Sequence, residues 1–220
     1  MPTLVEILAR VSFLAAMPAV LGVMVTAGLL VVSRDWRVNV LALAAQYFFV
    51  VLLLTRQIRL EVAAVKGLIG WMICTVFYLT ERQASTFERS AVAEDESPAQ
   101  RRRWIMSTRV ASCLLAALLI AVVAYTAALR FPLPELPSDI TLACYLLAGL
   151  GLLLIGLSGT PLQVGLGLLT FLSGFDLFYV ALEPSLAVAG LLGAVSFIIA
   201  LAMAYLRIAQ LAAGGDEEEA

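Results

Sequence analysis

The chain has 220 residues, 62% of them hydrophobic and 14% charged, with a formal net charge of −2 and a mean hydropathy of +1.00. That much apolar surface exceeds what one water-soluble core can hide, which excludes a soluble globular domain and points to a multispan membrane protein. There is no histidine, so the usual haem axial ligand, the commonest zinc or copper ligand and the neutral-pH imidazole base are all missing.

A hydrocarbon core about 30 Å thick takes roughly 20 helical residues to cross, and apolar stretches of about that length follow one another along the chain. The first, Leu4 to Val32, is apolar apart from Glu6 and Arg10, which are one turn apart and able to pair. It is too long and too weakly basic at its start for a signal peptide, so it reads as a retained span, with a kink expected at Pro18. After SRDWR (Ser33 to Arg37) comes a second span, Val38 to Leu54, closed by TRQIRLE, and a third from Leu60 to Leu79.

Residues 81–104, ERQASTFERSAVAEDESPAQRRRW, form the only extended hydrophilic segment, with acids at Glu94 to Glu96, a break at Pro98, and Arg101, Arg102 and Arg103 at the membrane edge. It reads either as a solvated loop with a short amphipathic helix or as a docking surface for a soluble partner. The fourth and fifth spans, about Ile105 to Leu129 and Ile140 to Leu157, are separated by FPLPELPSD, whose three prolines forbid a regular helix. A tight SGTP turn leads to the sixth, EPS at Glu183 to Ser185 to the seventh (about Leu186 to Ile208), and GGDEEEA is an acidic tail expected to be disordered.

The expected fold is therefore all-α, a polytopic membrane bundle of about seven transmembrane helices. It divides into a three-helix segment (1–80), a cytoplasmic loop (81–104), a four-helix segment (105–208) and a tail (209–220). Seven crossings put Arg34, Arg37, Arg82, Arg89, Arg101, Arg102, Arg103 and Arg207 on one face and only Arg56, Arg59 and Arg130 on the other. The positive-inside rule makes the first face cytoplasmic, with the N-terminus outside the cell membrane and the C-terminus inside. A short repeat also emerges: LEVAAVKG (60–67) matches LAVAGLLG (186–193) at four of eight positions. The copies open the third and seventh spans, four places apart, and would therefore run parallel.

Two charges fall inside spans. Asp176 lies in the sixth and Lys66, the only lysine, in the third, each about one and a half turns from the outer end, or roughly 9 Å deep at 1.5 Å per residue. An acid in hydrocarbon costs on the order of 2.5–3.5 kcal/mol, so it faces protein or a water path rather than lipid. In one reading Lys66 snorkels to the outer headgroups while Asp176 bonds a helix bearing Ser173, Ser196 or Thr75. In the other, Lys66 and Asp176 belong to a proton path, with Gln46, Tyr47 and Tyr179 as polar neighbours. The stripe Phe171, Phe175, Phe178 and Tyr179 reads as packing or lipid contact, the alternative being the lining of a quinone or lipid-tail cavity. Gly165, Gly167, Gly174, Gly190 and Gly193 support a tight sixth–seventh pair. Cys74, Cys113 and Cys144 lack CxxC spacing and read as small hydrophobes.

The segment SGTPLQVGLGLLTFLSGFDLFYVAL, followed by AVAGLLGAVSFIIALAMAYLRI, resembles the last two helices of the K-type membrane subunit of respiratory complex I and of multisubunit cation/proton antiporters. The Gly-x-acid-Leu pattern is carried by Gly174, Phe175, Asp176 and Leu177, with Asp where that family has Glu. A second glutamate usual on the next helix is replaced near Ser196. The added N-terminal spans, with Lys66, Gly67 and Leu68, look more like the longer E component of hydrogenase-4 and formate hydrogenlyase-type complexes.

The resemblance implies a non-redox membrane subunit of an oxidoreductase or ion-translocating complex, with no catalytic centre and no cofactor or metal of its own. Asp176 would be the proton-path acid and Lys66 the charge that tunes it. Its partners would be other membrane subunits, antiporter-like ones among them, and a soluble cytoplasmic arm docked at Arg101 to Arg103; no nucleic acid partner is expected. The competing readings are an accessory scaffold of a respiratory or photosynthetic assembly, in which the pair only orients helices, and a small solute transporter.

Overall fold

Helices make up every regular element among the described residues. The computed structural model describes residues 16–33, 35–55, 60–91, 101–133, 136–182 and 185–218, with side chains for all of these except 16, 17, 60, 61, 87–91, 101–109, 181 and 212–218. The order is α1 (Ala16–Val32), α2 (Trp36–Leu54), α3 (Leu60–Ala91), α4 (Arg101–Arg130), α5 (Ser138–Leu157), α6 (Pro161–Leu182) and α7 (Leu186–Glu218). Six are long and apolar enough to cross a membrane, and the described apolar part of α1, Pro18–Val32, is shorter. Hydrocarbon offers backbone groups no partner, so a crossing segment must close its hydrogen bonds within itself, and apolar runs of this length become helices.

Three boundaries differ from the expectation. α3 does not stop where the composition turns hydrophilic but runs on to Ala91, α4 starts at Arg101 instead of Ile105, and α7 continues through the tail to Glu218. Extending an existing helix adds a hydrogen bond per residue without a new nucleus. The added residues include strong helix formers such as Arg and Glu. Hydropathy marks the edge of the membrane, not the end of the helix. Glu6, Arg10 and the Glu94 to Glu96 cluster lie outside the described residues, and Pro18 falls in the first turn of the described part of α1.

Corresponding helices of the first and last thirds pack together: α1 on α5, α2 on α6 and α3 on α7. The last pair is parallel and in register, since Gly193 of α7 seats the side chain of Ile69 on α3, and Glu81 bonds Arg207 further along. The expected tight sixth–seventh pair is instead α5 with α6. A Cβ on Gly151 would lie 2.5 Å from the backbone nitrogen of Phe171, one on Gly167 2.9 Å from that of Ile155, and one on Gly174 3.0 Å from the Cys144 carbonyl. Only Gly165 among the α6 glycines faces α7, against Met203. By contrast α4 leans on α5 and α1, and Ala124 is its one buried residue among those described.

Candidate functional site: a buried ion pair across the bundle

Four helices form a ring in which each packs on the next: α2 on α3, α3 on α7, α7 on α6 and α6 on α2. Lys66 and Asp176 come from diagonal members, α3 and α6, and meet across the middle. The lysine Nζ donates to Asp176 Oδ2. Lys66 stands six positions from the Leu60 end of α3 and Asp176 six from the Leu182 end of α6, which gives both the same depth, and the long lysine side chain closes the gap. They are 2% and 1% exposed respectively. Lys66 therefore does not snorkel. Gly174, by letting α6 lie close on α5, fixes the height and rotation at which Asp176, two residues on, is presented.

The pair leaves polar capacity unused. Among the described residues, Asp176 Oδ1 has no hydrogen-bond partner, and neither do Oε1 and Nε2 of Gln46, a residue 1% exposed on α2. The buried phenol of Tyr47 lies against Ser173 and within electrostatic reach of Asp176 and Cys74. Its ring fits because Gly70 of α3 has no side chain; a Cβ there would be 2.7 Å from it. Nearer the start of α2, Asn39 Oδ1 is likewise buried and unpartnered. Asn39 and Gln46, seven residues apart, share a helix face.

The other expected neighbours are placed differently. Tyr179 is 38% exposed and stacks on Phe175, also exposed, with ring centroids 5.8 Å apart; it faces away from the pair. Ser173 and Ser196 are buried but donate to Leu169 and Leu192 carbonyls of their own helices, and Thr75 is exposed and bonds Trp71. Short hydroxyl side chains satisfy themselves on the preceding turn when no better acceptor is near. Arg101, Arg102 and Arg103 open α4, and their side chains lie outside the described set.

A second ion pair was not foreseen. Arg207 Nε donates to Glu81 Oε1 at 3.0 Å, the carboxylate being almost fully buried. Composition had assigned Glu81 to a solvated loop; only the continuation of α3 beside α7 brings it inside. Among the described residues no cluster of three or more Cys, Asp or Glu is placed to hold a metal, and Cys74, Cys113 and Cys144 are free thiols.

The helical spans with a charge pair enclosed among them define a multi-pass integral membrane protein. Comparison with family models, with curated proteins and with solved structures finds no match to this chain.

Proposed function

We propose that the chain is a non-redox subunit of a proton- or cation-translocating membrane assembly, similar to the K-type and hydrogenase-4 E-type subunits, and that Asp176 exchanges protons with Lys66 as its electrostatic counterweight. The observation that carries this reading is the pairing itself: an acid and a base enclosed at one depth, with the second carboxylate oxygen and the Gln46 amide still able to accept or pass a hydrogen bond. A purely structural clamp gains from saturating its acceptors, because buried polar atoms without partners are costly. Water entering from Gln46 would satisfy these atoms and give the proton a route. The proposed setting is the cell membrane, with the C-terminus and the Arg-rich face cytoplasmic.

The test is the native assembly, purified through this chain and reconstituted in vesicles. Asp176→Asn and Lys66→Met are each expected to abolish or strongly reduce coupled proton movement while the assembly remains intact. Proton movement at the wild-type rate in both variants would overturn the relay and leave the scaffold reading, in which the pair only ties α3 to α6.

A further inference from the structure

At the Arg-rich end of the bundle, the start of α2 and the Tyr78 to Thr86 stretch of α3 line a groove of two adjoining hollows, about 390 and 200 Å³, which share Trp36, Arg37 and Ser85. Its floor is aromatic. Trp36 and Tyr78 contact with ring centroids 5.8 Å apart, and the Arg37 guanidinium sits 5.3 Å over the indole. Arg82 lines the second hollow. Among the described residues neither guanidinium belongs to an ion pair, and the Ser85 hydroxyl is spent on the Arg82 carbonyl. One exposed acid, Asp35, borders the first hollow. Among the described residues, the side chains around the groove carry two positive charges, on Arg37 and Arg82, against one negative, on Asp35, an excess that suits an anion.

We propose that this groove seats the phosphodiester headgroup of an anionic phospholipid, with Arg37 and Arg82 as its cationic donors. A guanidinium presents paired N–H donors that match phosphate oxygens. A phosphodiester could also belong to a soluble ligand, but the groove lies just past Leu79, where the apolar run of α3 gives way to Glu81 and Arg82, and where indole and phenol rings mark the headgroup level. A lipid phosphate is delivered to that level by its own acyl chains. Basic pockets between spans at this interface suit acidic headgroups. The inference is independent of any ion path at Lys66.

The experiment is native mass spectrometry of the purified protein in mixed micelles holding equal phosphatidylglycerol and phosphatidylcholine. Selective retention of phosphatidylglycerol is expected, reduced roughly fivefold for each arginine removed in Arg37→Gln/Arg82→Gln, and unchanged in Arg130→Gln, whose charge lies at the other end of the bundle. Arg82→Gln alone, an exposed substitution, carries the same expectation at one arginine's effect should the double variant not fold. Equal retention of the two lipids by the wild type, or undiminished selectivity in the variants, would overturn the proposal. So would displacement of bound lipid by inorganic phosphate alone, which would assign the groove to a free anion.

Discussion

Glu81 on α3 and Arg207 on α7 are bonded at 3.0 Å and occupy the same place in their helices, each 21 residues beyond the first. They are 126 residues apart, the offset that separates Leu60 from Leu186 at the start of the repeat. Counted from the first residue of each helix, equivalent positions of two parallel helices are therefore in contact. At the same offset Lys66 corresponds to Leu192 and Asp176 to Val50, and both of these lie in one apolar cluster. At each of these two corresponding positions only one residue is charged: Lys66 in the first half and Asp176 in the second.

The register pair makes an asymmetric prediction. Arg207→Met leaves a carboxylate buried without this partner and is expected to cost about 3 kcal/mol. Glu81→Gln leaves an arginine that is 17% exposed and can turn to water, so about 1 kcal/mol is expected. Thermal unfolding in detergent checks the order, and the reverse order would contradict the buried placement of Glu81.

For Lys66 and Asp176 the expected pattern is strong coupling. Removing one partner of a buried pair costs about 3–5 kcal/mol, whereas replacing both by apolar residues is often neutral or better. Lys66→Met and Asp176→Leu should each lower stability, and the double variant should recover most of the loss. Additive losses in the double-mutant cycle would show that the two side chains do not meet.

Glycine substitutions separate close helix approach from free space. Gly151→Ala drives a Cβ to 2.5 Å from backbone that cannot yield, so a loss above about 2 kcal/mol is expected. At Gly28 and Gly190 an added Cβ meets nothing within 4 Å. Alanine there should stabilise by about 0.5–1 kcal/mol through helix propensity alone. Equal effects at Gly151 and Gly190 would argue against the α5–α6 approach described above.

Topology is open to cysteine labelling. On a background lacking Cys74, Cys113 and Cys144, an impermeant thiol reagent should reach Pro132→Cys from outside intact cells and Thr160→Cys only after permeabilisation. Labelling of Thr160→Cys from outside would invert the assigned orientation, and with it the leaflet that the Arg37–Arg82 groove faces.

Much of this architecture is legible in the residues. Apolar runs must become helices because hydrocarbon leaves the backbone no other partner, and the equal depths of Lys66 and Asp176 follow from counting residues to the helix ends. Asn39 and Gln46 could also have been paired, from their spacing of seven on one helix. Tyr179, three residues beyond Asp176, is about 60° from it around the helix axis, enough to leave the phenol toward the outside of the bundle while the acid is buried; spacing alone does not say which of the two faces inward.

Composition and the fixed rise of a helix were enough to read a multispan membrane protein, about seven helical spans, seven helices being found among the described residues, and two charges inside them. Only the tertiary structure decided which helices are neighbours. It put Lys66 and Asp176 on diagonal members of one ring, drew Glu81 out of an apparent loop to Arg207, and gave the tight glycine contact to α5 and α6. The reason is that helix adjacency depends on the rotation and mutual fit of side chains far apart in the chain, and composition read along one segment carries neither.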